Sequence, residues 1–268
     1  MARAATPRPP EAPDRPDRVH PAAAPELASA QPDRYATAVA APEWGVARQA
    51  LVAQADVLVI GAGALAGPVL TYLAGAGVGR LGVVDDAVVA ADDLRADLLH
   101  FTPDVGVAKA HSAAVKLGFL NPGIVVEPYQ VHVDAENAEE LLSGQQLVVD
   151  CSNSRPTNAV VAAAGHALGV DVVTAAAGSR TGWVLSVGPG LRGCPDCVRA
   201  DTPGDGSWMP GPLAGILGAL VSAEALDRIG TAPAGAATGK LIRVDVSGPE
   251  LEAVPWHPRH VGPHPGDR

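Results

Sequence analysis

Residues 55–67, Ala-Asp-Val-Leu-Val-Ile-Gly-Ala-Gly-Ala-Leu-Ala-Gly, decide how the rest of the chain is read. The β-branched run ending at Ile60 has the composition of a buried strand, the clustered glycines mark a tight turn, and Pro68 to Ala74 begins a helix. Gly61 and Gly63 permit positive φ and let backbone N–H groups approach an anion. The helix N-terminus adds roughly half a positive charge. The third glycine of a dinucleotide fingerprint falls at Ala66, a permitted variant where helix packs on strand. A second strand, Leu81-Gly-Val-Val-Asp85, ends in a carboxylate suited to ribose hydroxyls. These features predict a bound nucleotide, and the loop alone does not separate NAD, FAD and ATP.

Composition sets the bounds. With 268 residues, 47% hydrophobic and 18% charged, the chain is long enough for a sizeable core. Aromatics are only 3%, so that core must come from Ala, Val and Leu, which suits buried parallel strands under Ala-rich helices. A net charge of −10, without a basic cluster, argues against a nucleic-acid partner or an anionic membrane surface. The uncharged run from Val57 to Gly79 reaches membrane-spanning length, yet its six glycines and Pro68 fit strand, turn and helix better. The N-terminus lacks an apolar segment of the secretory kind, which predicts a cytoplasmic protein. Residues 1–32 contain eight prolines and are expected to form a disordered tail.

From residue 33 to about 180, strands alternate with helices. Ile124–Tyr129, Leu147–Asp150 and Asp171–Thr174 read as strands, and Val107–Leu120 and Thr157–Leu168 as helices, with a short acidic helix from Asp134 capped by that residue. This order predicts an α/β fold: a Rossmann-like, mostly parallel sheet with helices on both faces and ligands at the strands' carboxyl ends. Residues 181–260 change character, with a strand around Trp183, a helix from Pro212 to Ile229, and two further strands of antiparallel flavour before a short tail at 261–268. Cys194-Pro-Asp-Cys197 reads as metal or redox chemistry in a reducing compartment, while Cys151 reads as a packed thiol.

The run Val57–Asp85, Leu99-His-Phe-Thr-Pro-Asp-Val-Gly-Val-Ala-Lys109, Leu120-Asn-Pro, Asp150-Cys-Ser-Asn-Ser154 and the Cys-x-x-Cys pair together resemble the HesA/MoeB/ThiF family, relatives of ubiquitin-activating enzymes. The likeness spans roughly residues 33–260 as a single domain. It implies that ATP sits at the glycine loop and that a C-terminal glycine carboxylate of a ubiquitin-like sulfur carrier, or a peptide C-terminus, attacks the α-phosphorus. The products are an acyl adenylate and pyrophosphate. It also implies a homodimer, or a heterodimer with an active relative.

The resemblance carries over unevenly. Asp85 matches the ribose carboxylate and Lys109 the phosphate-binding lysine, one of only three lysines in the chain. A family arginine falls on Thr37; in Asp92-Asp-Leu-Arg-Ala-Asp97 a family asparagine becomes Asp93 and an arginine becomes Ala96. The magnesium-binding aspartate falls on Asn153, a neutral oxygen where a hard cation prefers carboxylate. The loop before the last long helix holds no cysteine for thiol transfer. The second Cys-x-x-Cys of the family is His257-Pro-Arg-His260 here, so the resemblance implies one structural zinc on Cys194, Cys197, His257 and His260. Lost charge around the phosphates implies a protein that binds ATP and a carrier or peptide with degenerate adenylation. The alternative is an active, divergent adenylyltransferase, and the second alternative an NAD-dependent oxidoreductase.

Overall fold

The computed structural model describes residues 32–187, 208–230, 239–248 and 250–256. The expected tail lies outside these residues except for Pro32, which opens a helix, and so do Cys194, Cys197, His257 and His260. Among the described residues, helices α1 (Pro32–Ala40) and α2 (Gly45–Gln54) lead into β1 (Asp56–Ile60). Then follow α3 (Ala66–Ala76), β2 (Arg80–Val84), α4 (Lys109–Leu120), β3 (Val125–Tyr129), α5 (Ala138–Leu142), β4 (Leu147–Asp150) and α6 (Arg155–Leu168). Strands β5 (Asp171–Ala177) and β6 (Thr181–Val187), helix α7 (Gly211–Gly230), and strands β7 (Gly239–Asp245) and β8 (Glu250–Trp256) complete it. The expected acidic helix is shorter than its sequence suggested: Asp134 Oδ1 accepts from the N–H groups of Glu136 and Asn137, capping a turn before α5 rather than the helix.

One sheet runs β3-β2-β1-β4-β5-β6-β7-β8. The first five strands are parallel and the last three join antiparallel. The parallel part follows from crossovers that are each long enough to hold a helix, the antiparallel part from the short β5–β6 connection. Period-two alternation sends Val57 and Val59 to one face and Leu58 and Ile60 to the other. Under the first face lie α3, α4 and α7; under the second lie α5 and α6. Each fully buried Val or Leu contributes about 1.5–3 kcal/mol, and both faces are lined with them, so β1 and β4 sit at the most protected place in the fold. No described helix is long and apolar enough to cross a membrane, and the Val57–Gly79 run is divided among strand, turn and helix.

The register places the site. Val84, Ile60 and Asp150 form one row across β2, β1 and β4. The residues immediately beyond that row are Asp85, Gly61 and Cys151. The order of strand addition reverses between the parallel neighbours β1 and β4, because β2 and β3 build to one side and β4 and β5 to the other. Ligands of open α/β sheets bind in the crevice at such a switch point.

Candidate nucleotide site

A cavity of about 310 Å³ opens at this crevice. The loop from Gly61 to Leu65 forms its floor, and Asp85 and Asp86, Val131 to Val133, Cys151 to Ser154 and Lys109 surround it. Met209, just ahead of α7, closes one side. The loop is tight for two local reasons. Gly61 has φ 98°, and a Cβ there would lie 2.9 Å from the Cys151 carbonyl oxygen, so only glycine fits between the β1 and β4 ends. Two loop amides are already used by the fold: Gly61 N–H donates to the Val84 carbonyl at 2.7 Å and Ala62 N–H to Asp85 Oδ2 at 2.7 Å. Gly63, Ala64 and Leu65 line the cavity at the start of α3, where backbone N–H groups lack helical partners.

Asp85 is held by backbone on both oxygens, because Ala87 N–H donates to Oδ1 at 2.9 Å. Each oxygen keeps a lone pair for a ribose hydroxyl. The carboxylate therefore ties the glycine loop to the end of β2 and still faces the cavity with acceptor capacity.

Lys109 begins α4, and its ammonium lies 3.8 Å from where a Gly63 Cβ would stand, directly over the loop. It is also paired with Asp93 at 3.0 Å. Burial opposes ionisation of Asp93, but the Ala90 N–H and Lys109 outweigh it and hold the carboxyl below its ordinary value. Ala96 is buried, with Gly211 of α7 packed so closely that a Cβ on that glycine would lie 3.4 Å from the Ala96 Cα. Arg95 turns to the rim, donating to the Met209 carbonyl at 3.1 Å.

At the end of β4, Asn153 has φ 52°, a left-handed conformation that Asn tolerates better than most residues. Its side chain is fastened to the end of β5: Oδ1 accepts from Ala177 N–H at 2.9 Å and Nδ2 donates to the Ala177 carbonyl at 3.2 Å. Asp150 is fully buried; that burial pushes its carboxyl up, against hydrogen bonds from Asn158, Ser152 and Thr174. The adjoining Cys151 thiol is pushed well up by burial and then by Asp150, which makes it a packed thiol, as expected. Among the described residues no group of three or more His, Cys, Asp or Glu could hold a metal, and the amide at Asn153 does not supply the missing carboxylate. These residues do not fit a magnesium ion held by protein alone.

Gly61, Gly63, Asp85, Lys109 and Asn153 thus meet at one cavity. Asp93 reaches it through Lys109, Ala96 lies buried beside α7, and Thr37 is exposed on α1 outside the cavity lining. Two residues that sequence reading passed over lie beneath the loop. Asp97 and His100 are both buried, and His100 joins the Ala62 carbonyl to Ser112 of α4 at 2.8 Å on each side. The sequence held little signal for them, since Asp97 ends an acidic stretch that begins Asp92-Asp93 and His100 stands alone.

The sequence model of the ThiF family matches residues 35–262. The chain belongs to the ThiF family. This ThiF-family chain is 32% identical over 237 residues to the SAMP-activating enzyme E1 of Haloferax volcanii, covering 86% of this chain and 87% of that protein. It is 39% identical over 206 residues to the sulfur carrier protein adenylyltransferase of Thermus thermophilus, covering 72% and 76%. Among solved structures, E. coli MccB with ATP superposes with a TM-score of 0.71 over 84% of this chain and 72% of that one, at 18% identity. At that identity the likeness to MccB concerns the fold alone. The ThiF assignment agrees with the sheet order and with the position of the glycine loop.

Proposed function

We propose that this ThiF-family chain binds ATP at the Gly61–Gly67 loop and adenylates the C-terminal carboxylate of a ubiquitin-like sulfur carrier or peptide, as a divergent adenylyltransferase. One observation carries this reading: loop amides, Asp85 and Lys109 converge on a single cavity at the β1/β4 switch point. The names of the Haloferax and Thermus relatives support it, and favour an active enzyme over a degenerate one. In this scheme Asp85 orients the ribose, the loop amides and Lys109 hold the polyphosphate, and a carboxylate oxygen forms a bond to the α-phosphorus as the bond to pyrophosphate breaks. Positioning and charge neutralisation supply the acceleration. Any magnesium would arrive on the ATP phosphates, its carboxylate support being weak here.

A second reading, binding with little or no chemistry, has its own support. Lys109 is shared with Asp93, and Asn153 is committed to Ala177. ATP–pyrophosphate exchange with a Gly-Gly-ending carrier separates the two: exchange above background supports the enzyme, and saturable ATP binding without exchange supports the binding protein. Absence of ATP binding, with NAD bound instead, would return the oxidoreductase alternative. We also propose one zinc on Cys194, Cys197, His257 and His260, tested by metal analysis of purified protein, and pairing with a second copy or an active relative, tested by mass in solution.

A further inference from the structure

Beneath the phosphate loop a row of side chains runs inward from the surface. Asp104 pairs with Lys116 at 2.6 Å, Lys116 donates to Ser112 Oγ at 2.7 Å, and Ser112 Oγ lies 2.8 Å from His100 Nδ1. His100 Nε2 lies 2.8 Å from the Ala62 carbonyl. A carbonyl only accepts, so Nε2 carries a hydrogen, and Ser112, which accepts from Lys116, can give its own hydrogen to Nδ1. Every member of the row is satisfied with His100 neutral.

Asp97 breaks this order. It is 2% exposed, and its Oδ2 is a buried oxygen without a hydrogen-bond partner. That oxygen is 3.7 Å from His100 Nε2, whose hydrogen is directed at Ala62, and 4.0 Å from where a Gly63 Cβ would stand. Its Oδ1 accepts from Leu99 N–H at 3.4 Å and would lie 3.6 Å from a Gly67 Cβ. The carboxyl is thus pressed under the first turn of α3, between the two glycines of the cradle. The titratable groups facing it are Lys109 of α4, His100 and Asp93, with Asp85 reached through Ala62. Lys109 already pairs with Asp93.

An ionised Asp97 at this depth would repel any phosphate drawn to the loop amides, because screening by water is weak there. A nucleoside, carrying no phosphate, would escape that repulsion. We propose that Asp97 makes polyphosphate binding at the Gly61–Gly67 loop proton-coupled, one proton passing from solvent onto the buried Asp97 carboxyl for each nucleotide bound. Burial pushes the Asp97 carboxyl up, against the pull of His100 and Lys109, which favours a proton held there when more negative charge arrives. Asp97 is in this sense specificity-determining: it discriminates by phosphate charge and by pH, not by base.

This inference rests on the nucleotide reading above, and the test separates the two. Calorimetric titration of the full chain with ATP and with adenosine, in two buffers of different ionisation enthalpy, measures protons taken up. Working at about pH 7.5 and about pH 8.5 keeps above the last ionisation of the free phosphate chain, near pH 6. Wild type should take up close to one proton with ATP and none with adenosine, and its ATP affinity should fall about tenfold over that unit of pH. Asp97→Asn should take up none and lose the pH dependence. Asp97→Gln serves if Asp97→Asn does not fold. Proton uptake that persists in the amide variant, or no uptake by wild type on binding ATP, overturns the inference and leaves the nucleotide reading standing. If neither ATP nor adenosine binds wild type or variant, the nucleotide reading fails and the inference with it.

Discussion

The two walls of the cavity are built differently. On the β1 side, the Gly61–Gly67 loop, Asp85 and the α3 N-terminus form a cradle made mainly of backbone, in which side chains matter by being absent. On the other side, Lys109 and Asn153 depend on side-chain charge and reach, with the acid Asp93 paired to Lys109 and the small Ala96 buried behind them. The cradle is fixed by sterics inside a packed sheet, so changing it costs the fold. The flank can change at the cost of chemistry alone, which is how binding geometry can outlast the charges around it.

The largest effect should come from attacking the cradle. Gly61→Val combines a φ of 98° with a contact of 2.9 Å to the Cys151 carbonyl, and should cost about 2–4 kcal/mol of stability and abolish ATP binding, read by melting and calorimetry. Next is Asp85→Ala, which removes acceptors from the Ala62 and Ala87 amides as well as from ribose. ATP and adenosine should both bind at least about tenfold more weakly, since a hydrogen bond to a charged group is worth about 1.5–3 kcal/mol. Normal adenosine binding by that variant would show that the ribose lies elsewhere.

Changes to the flank should alter chemistry more than folding. Asp93→Asn frees Lys109; ATP should bind up to about fivefold more tightly and adenosine unchanged, a modest gain because a partly exposed pair is worth under about 1 kcal/mol. Asp93 has a lowered folded value, so its ion pair stabilises wild type above the ordinary carboxylate value and that advantage is lost as pH falls through the folded one. The stability gap between wild type and Asp93→Asn should therefore close in acid. Asn153→Asp should keep its left-handed backbone but lose the donor to the Ala177 carbonyl, costing about 1 kcal/mol; a large rise in exchange would identify the missing carboxylate as the limiting group. The smallest effect is expected at Cys151, whose buried thiol should stay unalkylated in the native protein near neutral pH and react once it unfolds.

Much of this was legible in the chain. The alternation of Val57 to Ile60, the glycine spacing and the carboxylate at Asp85 encode strand, turn and the acid at the cavity locally, because strand periodicity and positive φ are properties of neighbouring residues. The departures at Asp93 and Asn153 were also visible from the resemblance to the family's motifs. Their consequences were not: Asp93 meets Lys109 across the β2–α4 connection, and Asn153 meets Ala177 across a whole βαβ unit. His100 showed no role in the sequence, yet it ties the loop to α4, since its partners Ala62 and Ser112 lie on different elements.

The sequence alone determined the parallel core, the glycine loop at its switch point and membership of the ThiF family, because local periodicity, turn chemistry and motif order are written in adjacent residues. Only the tertiary structure decided how Lys109 is shared, where Asn153 places its amide and that one carboxylate oxygen of Asp97 lies without a hydrogen-bond partner beneath the cradle. Those outcomes depend on which distant groups meet in a dry interior, where each charge is set by what packs against it.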